Sequence, residues 1–380
     1  MSGIAGVIRR DGREVPHHWQ SLLEETLLLC SSGTNWTFED SIETNAGTLT
    51  IILLSTQPPV TSEATSVSSS EVTSEVTSEV TSEDEMWVVD GNMAGECAFA
   101  HWEAKTLSLE LFRKGTGAIP LYWLDLAEAG DGFVFCSNPL PLLRIANELD
   151  LASECYSQGV QEFLQFGFAN EGGALLLPVC SIPVEHFDID SIPKVSSVEC
   201  DISGTPAEDL QTLVNVLGKP FADSSLLSTL WQYRFAKEEG MPIYDGLLLS
   251  EQKQKKYSEI LQRLLPPQSG VKVNPKEYQS SRSIALRAIA NHVDLELFLT
   301  SKRNPMQPID FPLSSWLRNP QSSLGQLAGD MLTSNRIADI PVDHSAVTAL
   351  FDAHRNGDAD NAQQLFALLT LALWSELVHA

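Results

Sequence analysis

The hydrophobic and polar positions predict a β-rich first half of the chain. Gly3–Ile8 and Leu49–Leu54 are short apolar runs typical of buried strands, and helical spacing predicts a helix over Trp19–Leu29. Further short strands are predicted at Met86–Val89, Cys97–Trp102, Leu107–Phe112 and Phe133–Ser137. Many short strands separated by turn residues indicate a layered β-rich domain that ends near residue 190.

After this point apolar residues recur at helical spacing. Helices are predicted over Leu210–Leu217, Ser225–Glu239, Ser250–Leu265, Ser283–His292 and Asp360–Val378. The last is the clearest, because Leu365, Leu369, Leu373 and Leu377 recur at every fourth position and therefore share one helix face. The second half is predicted to be mostly helical.

Residues 61–85 form a low-complexity segment in which Glu-Val-Thr-Ser repeats from Glu71, Glu75 and Glu79. The segment contains acidic residues and no basic ones, with a few valines among small polar residues. Such a composition buries too little apolar surface to offset the entropy lost on ordering. We therefore predict a disordered acidic insertion, with a phosphorylated regulatory loop as the functional alternative.

Composition and charge exclude several classes of function. The formal charge of −26 disfavours nucleic acid and anionic membrane surfaces as partners. The sequence has no apolar run long enough to span a bilayer and no recognisable signal peptide, so a cytoplasmic protein is expected. The 6 cysteines and 8 histidines show no metal-ligand spacing, so no metal site is predicted.

Five stretches resemble glutamine-hydrolysing asparagine synthetases, in the same order along the chain. The opening MSGIAGVIRRDG resembles the family's Met-Cys-Gly-Ile-x-Gly start, and GECAFAHWEAKTLSLELFRKGTGAIPLY resembles its "FAFA-x-WD … RD-x-x-G-x-x-PLYY" segment, with Arg113, Gly117 and Pro120–Tyr122 in register. Three stretches resemble parts of the synthetase domain: PFADSS (220–225), IDFPLSSWLR (309–318) and AVTALFDAHRNGDADNAQQLFALLTLALW (346–374).

The resemblance implies two domains. Residues 1–190 would form a class II glutamine amidotransferase-like domain, an α-β-β-α sandwich of the N-terminal-nucleophile type with the 61–85 insertion. Residues 191–380 would be a truncated, mostly helical remnant of an α/β ATP-pyrophosphatase domain of the adenine nucleotide α-hydrolase-like type. In the family, ammonia released from glutamine in the first domain reaches an aspartyl-AMP formed in the second.

The chain departs from the family at the nucleophile. The family uses the thiol of a cysteine exposed by removal of the initiator Met, whereas this chain has Ser2 there, which is the one candidate catalytic residue. A hydroxyl is a weaker nucleophile than a thiol unless a base activates it. The family's Arg-His-Arg-Gly-Pro-Asp run and its oxyanion loop have no counterpart, although Asn92 resembles the oxyanion asparagine. Glutaminase activity is not expected.

The nucleotide site departs as well. The family's Ser-Gly-Gly-x-Asp-Ser-Ser pyrophosphate loop is reduced here to Ser203-Gly204, and Pro206 lacks the N–H that such a loop would aim at phosphate. The acidic Mg²⁺-binding turn is replaced by Glu251–Lys256. Met306 stands at the position of the family's lysine, with Lys302 and Arg303 nearby.

These losses favour an asparagine synthetase-like pseudoenzyme that acts as a scaffold or as a partner of an active synthetase, of a biosynthetic complex or of another protein. No cofactor is expected, and homo-oligomerisation stays open. Two alternatives remain: a working amide- or lactam-forming enzyme that would need ATP and Mg²⁺, and an amidohydrolase that depends on Ser2. Fold resemblance alone does not decide among them.

Overall fold

The computed structural model describes a mixed α+β protein with helices and β-sheets. The residues described are 3–29, 36–44, 47–56, 85–91, 97–114, 119–127, 129–130, 132–151, 157–168, 174–182, 205–238, 240, 243–246, 275–294, 297–300 and 311–380. Among these, no helix is both long enough and apolar enough to cross a membrane.

The chain divides into two compact units. The first comprises Met1–Leu142 and Ser181–Ile189, and the second comprises Leu143–Cys180 and Asp190–Ala380. The sequence alone predicted a single boundary at residue 190, whereas Leu143–Cys180 belongs by its contacts to the second unit. The assignment of the two units to amidotransferase-like and synthetase-like domains stays a prediction.

A six-stranded sheet forms the larger part of the first unit. Its strands, in the order β2-β3-β1-β8-β7-β9, include the central β1, which pairs antiparallel with β3 and β8. The strands are β1 (Ile4–Arg9), β2 (Trp36–Thr44), β3 (Gly47–Ser55), β7 (Tyr122–Asp125), β8 (Gly132–Cys136) and β9 (Cys180–Ser181). The predicted strands β1, β3 and β8 are confirmed, while β2 and β7 were not predicted.

A second sheet contains three antiparallel strands in the order β4-β5-β6. They are β4 (Glu85–Gly91), β5 (Cys97–Glu103) and β6 (Ser108–Lys114), and all three were predicted from the sequence. Glu85, the last residue of the predicted acidic insertion, begins β4. The rest of that insertion, residues 61–84, lies outside the described residues.

The core of the first unit fills the space between the two sheets. Ile4 and Ile8 of β1 lie on the same face as Phe135 of β8, and they share one buried cluster with Ala100 and Trp102 of β5. Each large apolar side chain buried in this way contributes about 1.5–3 kcal/mol. The opposite face of β1 and β3 is covered by α1 (His17–Leu29). A helix and two sheets therefore form successive layers.

The second unit is mostly helical. Its helices are α2 (Pro139–Glu148, which begins in the first unit), α3 (Ser157–Phe166), α4 (Pro206–Leu217), α5 (Ser225–Glu238), α6 (Pro275–His292), α7 (Leu313–Arg318), α8 (Ser323–Leu332), α9 (His344–Asn356) and α10 (Ala362–His379). Four predicted helices are confirmed as α4, α5, α6 and α10. The predicted helix Ser250–Leu265 lies outside the described residues.

Helix α10 is the centre of this unit. Three leucines of the stripe predicted from the sequence, Leu365, Leu369 and Leu373, are buried, and Leu377 is half-buried. Other sides of the helix are buried as well, at Ala367, Thr370 and Leu371. A helix that is apolar all round packs against neighbours on every side. It contacts α4, α7, α8 and α9.

A short parallel β-pair also belongs to the second unit. Strand β10 (Ile243–Gly246) pairs in register with β11 (Leu297–Thr300), and α6 lies between them in the chain. A parallel pair needs such a crossover connection, because its two strands run in the same direction. This β-α-β arrangement was not predicted from the sequence.

Candidate functional site

The start of β1 is where the family resemblance places a nucleophile. Ser2, the candidate catalytic residue, lies outside the described residues, and so does Asn92. The next residue, Gly3, is anchored to the end of β3: its N–H donates to Thr56 Oγ1 at 2.8 Å, and its carbonyl accepts from the Thr56 N–H at 3.1 Å. Thr56 therefore fixes the main chain beside the candidate position.

Ser137, at the end of β8, anchors the other side of the same segment. Its Oγ accepts from the Ile4 N–H at 3.0 Å, and its N–H donates to the Ile4 carbonyl at 2.8 Å. The buried carboxylate of Asp90, from the three-stranded sheet, lies 3.3 Å from Ser137 Oγ. The one hydroxyl proton of Ser137 is directed to Asp90 or to the Ile4 carbonyl, which lies 3.2 Å away.

Thr56, Ser137 and Asp90 are the polar groups at this end of β1 that sequence reasoning missed. The signal was available in part, because Ser137 is the last residue of the predicted strand Phe133–Ser137 and Thr56 lies two residues after the predicted strand Leu49–Leu54. Both hydroxyls accept main-chain N–H groups, so they hold the entry of β1 in place. Within this group of three residues, Asp90 and Ser137 are the one pair in which a carboxylate lies beside a hydroxyl that it could polarise.

Arg113, which is in register with the family motif, is a buried clamp. Its guanidinium donates to the Ile119 carbonyl at 2.9 Å, to Ser181 Oγ at 3.0 Å and to the Ile182 carbonyl at 2.8 Å. A guanidinium presents several N–H donors in a rigid fork, so one side chain can hold several acceptors. Arg113 therefore joins β6 to the segment before β7 and to the end of β9. This motif residue stabilises the fold.

The Arg-Arg-Asp-Gly turn of the opening motif is also structural. Arg9 is buried and binds Asp11 through two hydrogen bonds, Nε to Oδ1 at 3.1 Å and Nη2 to Oδ2 at 2.6 Å. The hydrogen bond from Arg9 is the main cause that holds the pKa of Asp11 below its usual value. Gly130 lies directly against this ion pair, leaving no room for a side chain there.

The PFADSS stretch joins α5 to the C-terminal helix. Asp223 Oδ1 accepts from the Ser225 N–H at 3.1 Å and from its hydroxyl at 2.6 Å, at the start of α5. Thr370 of α10 is buried and donates to the Phe221 carbonyl at 2.7 Å. The aromatic ring of Phe221 meets that of Phe366 edge-on, with centroids 5.8 Å apart. Two stretches that carry the resemblance therefore pack against each other.

His354 connects the other two synthetase-like stretches. Its Nδ1 accepts from the Asn361 N–H at 3.1 Å, so Nε2 carries the ring proton and donates to the Ser314 carbonyl at 3.0 Å. The His354 side chain is fully buried, and its own carbonyl accepts from Arg318 Nε at 2.9 Å. In the sequence, His354 stood out only as part of the 346–374 stretch. Its hydrogen bonds in the structure show that it connects this stretch to Ser314.

Asp360 lies beside this histidine on the surface. Partial burial alone would raise the pKa of Asp360. Hydrogen bonds from the Ser314 hydroxyl, at 2.9 Å, and from the Ala362 N–H have the opposite and larger effect, so the pKa of Asp360 lies below its usual value. His354 Nδ1 lies 3.6 Å from the Asp360 carboxylate. The carboxylate therefore supports the turn that leads into α10.

The residues that would decide nucleotide binding lie outside the described part of the chain. These are Ser203, Gly204, Glu251–Lys256, Lys302, Arg303 and Met306. Within the residues that are described, no group of three or more His, Cys, Asp or Glu side chains is arranged to hold a metal ion.

Comparisons with known proteins do not identify a family. No protein-family model matches the chain, and no curated protein gives a significant match. The resemblance to asparagine synthetases therefore rests on the sequence motifs themselves.

Proposed function

We propose that this chain is an asparagine synthetase-like protein that does not catalyse amide formation and acts as a scaffold or as a partner of an active synthetase. The observation that supports this most is the use made of the polar motif residues. Arg113, Arg318 and His354 all bind main-chain carbonyls of neighbouring elements. Their hydrogen-bonding capacity is directed at the fold.

The sequence departures support the same conclusion. Ser2 replaces the cysteine nucleophile, and Ser203-Gly204 followed by Pro206 replaces the phosphate loop. Phosphate binding by a loop depends on a row of main-chain N–H groups, and proline contributes none. A protein that keeps its packing residues but loses its nucleophile and its phosphate-binding N–H groups can still bind a partner through its surface, whereas its catalytic activity would be lost.

One observation favours the alternative of a working amide- or lactam-forming enzyme. The strands β10 and β11 end together, with Gly246 opposite Thr300. Ligands of open α/β sheets bind beyond the carboxyl ends of parallel strands. Lys302 and Arg303 come two and three residues after the end of β11 in the sequence. If an ATP site exists in this chain, the carboxyl ends of β10 and β11 are the position at which it would form.

A turnover experiment separates these functions. The full chain is incubated with ATP, Mg²⁺, glutamine and a panel of carboxylic acids, and AMP, pyrophosphate and glutamate are quantified. The pseudoenzyme proposal predicts no product above the level given by heat-denatured protein. AMP and pyrophosphate formation that is lost in Lys302→Ala would establish the ligase instead.

The amidohydrolase alternative needs its own comparison. Hydrolysis of glutamine and simple amides is measured for the wild type and for Ser2→Ala. Equal rates are expected under the proposal, because neither protein would have an activated nucleophile. A rate that disappears with the Ser2 hydroxyl would establish a serine-dependent hydrolase.

A further inference from the structure

An imidazole holds the turn between α9 and α10. His354 is buried, and its Nδ1 accepts from the Asn361 N–H at 3.1 Å while its Nε2 donates to the Ser314 carbonyl at 3.0 Å. Asn361 directly precedes α10, but its side chain donates to the Leu350 carbonyl and does not cap the helix. The imidazole is therefore the group that holds the main-chain N–H at the start of α10.

This arrangement requires a neutral ring. Nδ1 of a neutral imidazole can accept a hydrogen bond through its lone pair, whereas a protonated imidazole is a donor at both nitrogens. A proton on Nδ1 of His354 would place two N–H donors against each other, one from the ring and one from Asn361. Histidine is the side chain that ordinarily gains its charge between pH 5 and 8. Mild acid can therefore break this contact.

A carboxylate lies next to the same ring nitrogen. Asp360 Oδ1 is 3.6 Å from His354 Nδ1, which is too long for a hydrogen bond. Partial burial would raise the pKa of Asp360, but hydrogen bonds from the Ser314 hydroxyl and the Ala362 N–H hold it below its usual value. Asp360 is therefore ionised where a histidine titrates. An approach of about 0.8 Å would give a charge-assisted hydrogen bond of ordinary length.

Asp360 also connects the buried ring to solvent. The side chain of His354 is 0% exposed, whereas that of Asp360 is 67% exposed. A proton can therefore reach Nδ1 along the carboxylate, without opening of the apolar packing around the ring.

The other charged groups around His354 do not take the place of Asp360. Arg318 of α7 donates to the main-chain carbonyl of His354, and Arg355 donates to the Gly325 carbonyl of α8. Both cations oppose a positive charge on the ring, and Asp360 favours it. The remaining titratable residues of α8, α9, α10 and the α9–α10 turn are exposed or partly exposed: Asp330, His344, Asp352, Asp358, Glu376 and His379.

We infer that His354, Asp360 and Asn361 form a pH-responsive latch at the start of α10. At neutral pH the ring accepts from the Asn361 N–H and holds the turn. In mild acid Nδ1 takes up a proton, releases the Asn361 N–H and donates to the Asp360 carboxylate. The first turn of α10 then loosens while the rest of the unit stays folded. The latch goes beyond the proposed function and does not depend on it.

Amide hydrogen exchange on the full chain, followed by mass spectrometry between about pH 7.5 and about pH 5, tests the latch. Rates are corrected for the intrinsic effect of pH on exchange. Residues 358–365 are expected to lose about three- to tenfold protection in acid, the effect of one main-chain hydrogen bond, while α8 keeps its protection. Unchanged protection in 358–365 would overturn the inference. Equal loss in α8 would also overturn it, because it would mean acid unfolding of the whole unit.

A histidine variant shows whether the ring is the group that titrates. His354→Gln keeps one acceptor and one donor but cannot be protonated in this range, so its protection should not respond to pH. His344→Gln removes an exposed imidazole from the same helix, and this matched control should behave as the wild type. A wild-type pH response in His354→Gln would assign the effect to another group and contradict the latch.

Two carboxylate variants test the second position of the latch without a change in the core. Asp360→Asn removes the anion that the protonated ring needs, so the midpoint of the acid effect should move to lower pH by about half a pH unit or more. Asp358→Asn makes the same charge change at an exposed position of the same turn and should move the midpoint much less. Equal shifts in both variants, or no shift in Asp360→Asn, would contradict the latch. Circular dichroism checks that each variant is folded.

Discussion

His354 and Ser314 are joined by a hydrogen bond of 3.0 Å from the imidazole Nε2 to the main-chain carbonyl. Because the other ring nitrogen accepts from the Asn361 N–H, one buried side chain links α7 to the start of α10. This link connects two of the stretches that carry the family resemblance. These hydrogen bonds give the histidine a structural role.

Replacement of His354 by alanine should therefore destabilise the second unit. It removes two hydrogen bonds of a fully buried side chain and leaves a cavity, at an expected cost of about 2–4 kcal/mol. The free energy of unfolding is measured by urea denaturation. His344→Ala, at an exposed position of α9, is the control and should change it by less than about 0.5 kcal/mol. Similar values for both variants would contradict the role given to His354.

Arg113→Lys should destabilise the first unit although the charge is kept. Lysine has no planar fork, so it cannot reproduce the contacts to Ile119, Ser181 and Ile182 together. The expected loss is about 1–3 kcal/mol of unfolding free energy. Arg10→Lys, on the surface next to the buried Arg9, should be neutral. A neutral Arg113→Lys variant would mean that the clamp does not matter for the fold.

Gly6→Ala should disrupt the packing of β1. The added Cβ would lie 2.5 Å from Cε1 of Phe135 and 2.7 Å from the carbonyl oxygen of Ile52. The carbonyl is fixed by the sheet, so the strand or the ring must move, at about 1–3 kcal/mol. Gly240→Ala is a comparison variant, since nothing lies within 4 Å of its added Cβ and its positive φ of 65° brings only backbone strain. Thermal unfolding should rank Gly6→Ala as the less stable.

The Arg9–Asp11 pair should make stability depend on acid pH. The folded-state pKa of Asp11 lies below the unfolded value of about 3.9, so the ionised carboxylate stabilises the fold. This contribution is complete above the unfolded pKa and is lost as the pH falls through the folded one. The difference in unfolding free energy between wild type and Asp11→Asn should therefore be largest near neutral pH and shrink below about pH 4.

Asp352→Asn, which changes an exposed carboxylate on α9, is the matched control for this titration. Its difference from the wild type should stay small across the same pH range. An Asp11→Asn difference that is the same at every pH would mean that the contact with Arg9 does not lower the pKa of Asp11 in the folded protein.

Strands were predicted well from the sequence where they form a continuous apolar run, or where apolar and polar residues alternate regularly. β1, β3 and the three strands β4 to β6 were predicted within a few residues. β2 was missed because Glu39, Asp40 and Glu43 obscure its apolar positions, although Trp36 and Phe38 pack against the core. The predicted boundary at residue 190 was drawn from local patterns, whereas the membership of Leu143–Cys180 in the second compact unit follows from packing that no local pattern reports.

The chemistry of the candidate site was only partly accessible to sequence reasoning. Motif matching singled out Arg113 and the His354 segment, but several partners of these side chains are distant in the chain: Ser181 and Ile182 for Arg113, and Ser314 for His354. Thr56 and Ser137 lie 53 and 133 positions from the main-chain groups that they anchor. Neither spacing nor composition reveals such contacts, since they depend on the pairing of β1 with two separate strands.

The central claim is that the chain holds no ATP. Isothermal titration of the full chain with ATP and Mg²⁺ tests it most directly, with the same titration into Lys302→Ala as a second measurement. The account predicts only heats of dilution for both proteins up to about 1 mM nucleotide. Saturable micromolar binding by the wild type that is weakened in Lys302→Ala would contradict it.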